Sequence, residues 1–426
     1  MSAAASRRRL LVDLFDAAVA SAHPRLCLPA HLPEPPAGRL ILLAAGKAAG
    51  SMSAVAATHY RERGASRLEG LAVTRHGYGE TADPIPVIEA GHPMPDEAGL
   101  AATGRALDLA ASAGIDDLVL VLLSGGGSAN WIAPAGDLTL AEKQAITRAL
   151  LRSGADIGEI NTVRKHLSRI KGGRLSAACR PARVLTLAIS DVPRDDVSVI
   201  ASGPTVPDPS SLADALAVVS RRRIELPPAA AALLADPANE TPKPGDSLFA
   251  RTEYRIVARP AETIAAVARA AAAAGYEPVV LGSDLEGEAR DVAARHAEDA
   301  RALKQAGRRV ALISGGELTV TMRGSGRGGP NQEYALALAI ALAGETGISA
   351  LAGDTDGTDG GGGSAADPAG ALVNDTSLAR AEELGLDASA LLDANDSTTF
   401  FERIGDLVAP GPTRTNVNDC RIILIG

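Results

Sequence analysis

Short apolar segments alternate with stretches of helical period along most of this chain. RLILLAA at 39–45 and LVLVLL at 118–123 read as strands buried on both faces, because a half-solvated strand would alternate apolar with polar residues. Further strands are expected at 71–74, 85–89 and 184–189, with helices at 47–63, 96–113, 140–153 and 158–167 between them. Such alternation implies right-handed crossovers and a parallel sheet with helices on both faces. The pattern breaks at 236–247 (DPANETPKPGDS), which reads as a linker. It then resumes with strands at 254–258, 278–281, 310–313, 318–322, 348–352 and 421–425, and helices at 261–274, 286–306 and 331–343. The expected fold class is therefore α/β with two domains, each a mostly parallel sheet flanked by helices. The N-terminal one (1–238) is Rossmann-like, and the C-terminal one spans 250–426.

A length of 426 residues suits two cores better than one. Aromatic residues are only 2% of the chain, so Ala, Leu, Val and Ile must fill both cores. A net charge of −9 argues against nucleic acid or an anionic membrane as partner, so any phosphate site must be built locally. Cys27, Cys179 and Cys420 are odd in number and far apart, which argues against a disulfide framework or structural zinc and for a reduced, cytoplasmic setting. Arg7-Arg8-Arg9 before Leu10-Leu11-Val12 superficially matches a signal peptide, but Asp13 and Asp16 interrupt the apolar run and favour an amphipathic helix. No stretch approaches the roughly 18 apolar residues of a membrane span.

In open α/β sheets ligands sit beyond the carboxyl ends of the strands, so the loops there carry the chemistry. The first strand runs into Gly46-Lys47-Ala48-Ala49-Gly50, where glycine permits close backbone approach and Lys47 supplies charge. The Walker spacing is absent. LVLVLL runs into Ser124-Gly125-Gly126-Gly127-Ser128, a second expected anion cradle and not a nucleophile elbow. Downstream, Arg164, Lys165, Arg169, Lys171 and Arg174 form a basic cluster of which only some members can face one ligand. Asp191 follows the strand at 184–189, suited to Mg²⁺ or to accepting a proton.

The second half has its own loops. Ser314-Gly315-Gly316-Glu317 follows one strand, and Arg323 to Gly329 leads into Pro330 and Asn331 at a helix start. Gly353-Asp354-Thr355-Asp356-Gly357-Thr358-Asp359, with four further glycines, suits a hard cation better than zinc. Gly324, Gly326 and Gly329 also match G-x-G-x-x-G, with Asp354 ending the next strand, which keeps an NAD(P)H-dependent reductase as the alternative.

Together AGKAAGSM, GHPMPDE, LLSGGGSAN, INTVRKHLSRIKGGRL, ISDVP, ASGPT, ISGGELTVT, GRGGPNQE, AGDTDGTDG and TNVNDCRI resemble the class II glycerate kinases, the glycerate 2-kinase family with a C-terminal MOFRL domain. The resemblance runs from about residue 10 to 425. It implies ATP-dependent phosphorylation of D-glycerate to 2-phosphoglycerate with a divalent metal, Mg²⁺, at a site in the interdomain cleft. Members have also been labelled hydroxypyruvate reductases. Lys47 then corresponds to the family's phosphate-contacting lysine and Arg327 to the arginine facing it from the second domain. Asp191 and Asp354 carry over as metal or base candidates, with Asp356 beside them. Nucleotide contacts are expected from Gly46, Ser124, Gly125, Gly126, Gly127, Ser128, Glu317 and Asn331, and substrate contacts from Arg164, Lys165 and His92. Arg194 stands where the family motif has glycine. The expected partners are glycerate and ATP; a homodimer is compatible with the sequence and not fixed by it.

Overall fold

The computed structural model describes residues 3–360 and 364–426. The last three of the four glycines after Asp359, at 361–363, lie outside the described residues. The chain forms two compact units, Cys27–Val257 and a second made of Met1–Leu26 with Ala258–Gly426.

Six strands build the first unit: β1 (Leu40–Ala45), β2 (Leu68–Arg75), β3 (Val87–Ala90), β4 (Leu118–Leu123), β5 (Arg183–Ile189) and β6 (Thr252–Ala258). Their order is β3-β2-β1-β4-β5-β6, and the ladders from β3 to β5 are parallel. Every residue of β1 and β4 is buried, as their uninterrupted apolar sequences require. The chain moves outward from β1 to β3, then returns to lay β4 on the other side of β1. That reversal opens a crevice beyond the carboxyl ends of β1 and β4. Ala45 is level with Leu123, and Leu123 with Ala188, so the loops after β1, β4 and β5 leave the sheet together.

Helices Leu140–Arg152 and Ile157–His166 begin with capping boxes, Thr139 with Glu142 and Asp156 with Glu159. Each box satisfies two backbone donors that would otherwise be orphaned. Their buried faces, with Ile146, Leu150, Ile160 and Val163, join a satellite core of this unit.

The second unit holds β7 (Glu277–Gly282), β8 (Val310–Gly315), β9 (Ile348–Asp354), β10 (Gly370–Val373), β11 (Leu407–Val408) and β12 (Asp419–Ile425), in the order β11-β10-β9-β12-β8-β7. Four of the six strands point one way. The opposing pair, β10 and β12, is interleaved, so that only β7 and β8 pair in parallel. The α/β class and the two sheets flanked by helices match the sequence reading.

Three expectations are corrected. The segment 236–247 is no linker: Asn239 donates to the carbonyls of His166 and Leu233 at 2.8 and 3.0 Å, and Thr241 Oγ1 to Asp208 at 3.0 Å. Its prolines and polar residues serve a hydrogen-bonded turn of the first unit, and β6 joins the first sheet beside β5. The N-terminal residues do not belong with 1–238. Helix Ala3–Ser21 places Leu11, Leu14, Phe15 and Ala18, at helical spacing, in the core of the second unit. Residues 318–322 form only an isolated bridge, Thr319 to Glu288, instead of a strand.

Candidate active site

The loops after β1 and β4 are stitched to each other at the topological switch point. Lys47 N donates to Gly125 O at 2.8 Å and Ala48 N to Ser124 Oγ at 2.9 Å. Gly46 has φ +119°, and a β-carbon there would lie 2.4 Å from both Ser124 oxygens. Only glycine lets the two loops close up in this way. Gly126, at φ +85°, sits under two of the expected contacts. A β-carbon on it would lie 3.1 Å from the His92 ring and 3.3 Å from Lys47 Cγ. Lys47 and His92 thus converge on the glycine loop of β4. Gly127 opens a four-residue helix, Gly127–Asn130, and packs against Ala201. Ser128 Oγ lies 2.7 Å from Ser202 Oγ, tying the loop to the segment ASGPT.

Asp191 follows β5 and is half-buried. Three residues on, Arg194 is held at φ +59° and Asp195 at +54°, the left-handed region that β-carbon residues avoid. The Ser190 hydroxyl is buried with no hydrogen-bond partner among the described residues. Of the two basic substrate candidates, Arg164 is half-buried and its guanidinium is unpaired among the described residues. Lys165 is a correction. It is buried and pairs with Asp208 at 3.2 Å, and that lysine charge helps hold the buried Asp208 carboxyl below its usual range. A lysine neutralised inside the fold is not a substrate contact.

In the second unit Arg327 is exposed, pairs with Glu402 at 2.7 Å, and donates its backbone N–H to Asp396. With Met322, Gly328, Gly329, Pro330 and Asn395 it lines a cavity of about 370 Å³. Glu317 is exposed after β8. Asn331 is corrected: it is 1% exposed, and its side-chain amide donates to Asp359 at 3.2 Å and to Asp419 at 2.7 Å. Asp359 also accepts the backbone N–H groups of Asn331 and Gln332, capping helix Pro330–Leu342. Burial pushes the Asp359 carboxyl up to about 7, and the nearby Asp419 charge adds to this.

The aspartate loop is mainly a turn. Asp354 accepts the N–H of Asp356, and Asp356 accepts the N–H and hydroxyl of Thr358. Asp356 is fully buried, whereas Asp354 is half-buried. Among the described residues no three His, Cys, Asp or Glu side chains are grouped to hold a metal. An ion carried largely by phosphates and water needs fewer protein ligands than that.

The glycines that match the dinucleotide pattern face protein. β-Carbons on Gly324, Gly326 and Gly329 would lie 2.4 Å from Ala394 O, Asp396 Cβ and Asp359 O respectively. These glycines are needed for close packing against the 394–396 and 359 segments. The strand ending at Asp354 is also separated from β8 by the antiparallel β12, unlike a dinucleotide-binding βαβ unit.

Residues 10–235 match a family model described as a domain of unknown function, DUF4147, and residues 310–419 match the MOFRL family. A D-glycerate 2-kinase of Thermotoga maritima is 37% identical, over 99% of each chain. The chain belongs to the glycerate kinase family with a C-terminal MOFRL domain. A crystal structure of glycerate kinase from Thermotoga maritima superposes with a TM-score of 0.87, covering 99% of this chain and all of that one. Another member, from Agrobacterium vitis and provisionally named a hydroxypyruvate reductase, is 49% identical over 99% of this chain and 95% of its own length.

The sequence reading missed Ser202 and the strained turn around it. Ala201 and Ser202 have φ of +50° and +63°, and nothing in ASGPT before its glycine signals such a backbone.

Proposed function

We propose that this chain transfers the terminal phosphoryl group of ATP to the 2-hydroxyl of D-glycerate. The observation that carries the proposal is the stitched pair of loops at the switch point, with Lys47 and His92 converging on Gly126. A glycine surface with an adjacent ammonium suits phosphoryl oxygens, and relatives named as glycerate kinases carry the same fold. Lys47 neutralises charge on the transferring group, and Arg327 is a second cation assigned to the reaction. Asp191 accepts the proton of the attacking hydroxyl. Arg164 takes the substrate carboxylate through charge-assisted hydrogen bonds. Mg²⁺ would be held by Asp191 or Asp354 together with phosphate oxygens and would supply charge neutralisation. A cytoplasmic setting belongs to the same proposal.

The reductase reading needs a dinucleotide site, and the packed glycines at 324, 326 and 329 disfavour one. Purified protein assayed in two arms separates the readings. ATP with D-glycerate and Mg²⁺ should give ADP, and NADH with hydroxypyruvate should remain unoxidised. NADH oxidation without any ADP would overturn the kinase proposal.

A further inference from the structure

The basic side chains around INTVRKHLSRIKGGRL fall into two classes. Lys165 has Asp208 as its counter-ion, and Arg174 donates to Asn239 with the Glu240 and Asp208 charges close by. Lys143, Arg164 and Lys171 have no such partner among the described residues. The Lys171 ammonium is 1% exposed and donates only to the carbonyl of Ser128, at 2.7 Å. Lys143 is buried and donates only to the carbonyls of Arg164 and Leu167. The Arg164 guanidinium is unpaired among the described residues. Among the described residues, the electrostatic surroundings of these three groups include no carboxylate. After burial, the largest influence on Lys171 is the positive charge of Lys143 and then of Arg164, and both hold its affinity for a proton down. Three basic groups gathered with no carboxylate partner among the described residues are unfavourable for folding alone.

The cluster lies at the Ser128 end of the β4 glycine loop. Gly172 N donates to Ser202 O at 3.0 Å and Gly173 N to Gly203 O at 2.8 Å, which fixes Lys171 against the ASGPT segment. There Ser202 is held at φ +63° with its hydroxyl against that of Ser128. Backbone strain of this kind concentrates where a ligand is held.

We propose that Lys171 and Arg164, with Lys143 behind them, form an oxyanion pocket at the Ser128 end of the glycine loop. It takes either the carboxylate of the hydroxy acid or phosphoryl oxygens of the donor. Assigning it to those substrates rests on the kinase reading, whereas the pocket itself does not.

Two variants test this, Lys171→Met and Arg164→Gln. The first keeps most of the side-chain volume and removes a buried basic group that lacks a counter-ion, losing only its bond to the Ser128 carbonyl. The second alters a half-exposed side chain. Thermal unfolding is read with and without inorganic sulfate. The general salting-out effect of sulfate is common to all three proteins. Occupation of the pocket raises the melting temperature of the parent protein further, and of neither variant. In kinetics each variant should raise one KM about tenfold or more, as expected for a lost charge-assisted contact, with kcat changed less. A rise for glycerate identifies the carboxylate, and a rise for ATP the phosphoryl oxygens. An undiminished sulfate shift in both variants, or both KM values within about twofold of the parent, overturns the pocket. Should the parent protein make no ADP from glycerate, the kinase reading falls and the sulfate measurement still decides the pocket.

Discussion

Lys165 Nζ and Asp208 Oδ1 face each other at 3.2 Å with both side chains buried, so this lysine belongs to the fold. The pair links helix Ile157–His166 to the loop at Asp208, whose carboxylate also accepts from Ser210 and Thr241. Replacing Lys165 by Met leaves a buried carboxylate without its counter-ion, which costs about 3–5 kcal/mol. Denaturant unfolding should show that loss, while the KM for glycerate of the remaining folded protein stays close to that of the parent. A raised KM with unchanged stability would return Lys165 to the substrate site.

Gly126 and Gly46 should respond differently to alanine. At Gly126 the added methyl meets the movable His92 ring and Lys47 stem, and the left-handed backbone adds about 1–2 kcal/mol of strain. Gly126→Ala should therefore fold and lose most of its activity. At Gly46 the methyl meets the Ser124 carbonyl at 2.4 Å, which cannot move without separating β1 from β4. Gly46→Ala should yield little folded protein. Expression level and circular dichroism, read beside turnover, distinguish the two outcomes.

Arg194 occupies φ +59° with an exposed side chain. Arg194→Gly relieves the left-handed strain and should stabilise by about 1 kcal/mol. A fall in melting temperature would show that the arginine side chain makes a favourable contact that outweighs its backbone strain.

Lys143 sets a pH dependence. Burial, followed by the Arg164 and Arg174 charges, lowers its pKa from 10.5 to about 7. Between those values the unfolded chain holds a proton that the folded chain lacks, so stability rises with pH from about 7 to about 10.5. Asp359 has the opposite slope lower down. Its folded pKa is raised from 3.8 to about 7, so its contribution falls as pH climbs through that window. Denaturant midpoints across both windows check the signs. Lys143→Met should lessen the upper slope, to which the buried Lys171 also contributes, and leave the lower one.

The first sheet was legible because β1 and β4 are apolar throughout, a pattern that only burial on both faces explains. The glycine loops were legible for a related reason, since Gly46 and Gly126 adopt backbones that other residues avoid. The interleaving of β12 between β8 and β9 was not, because an apolar run carries no sign of strand direction. Nor was the placement of helix Ala3–Ser21, whose apolar stripe states that it packs and not on which core. Charge alone could not sort the basic cluster. What separates Lys165 from Lys171 is Asp208, remote in sequence from both. Asn331 and Asp356 stood in loops that looked ligand-facing and turned inward to hold backbone and carboxylates.

The position of phosphate on the product tests the central claim most directly. Purified protein incubated with ATP, Mg²⁺ and D-glycerate should form ADP and phosphorylated acid in equal amounts, with the phosphorus resonance coupled to the proton on carbon 2. Loss of that product in Lys47→Ala, with folding retained, would place the β1 loop at the reaction. Absence of any phosphorylated glycerate from the parent protein, or ADP formed equally well without glycerate, would contradict the account.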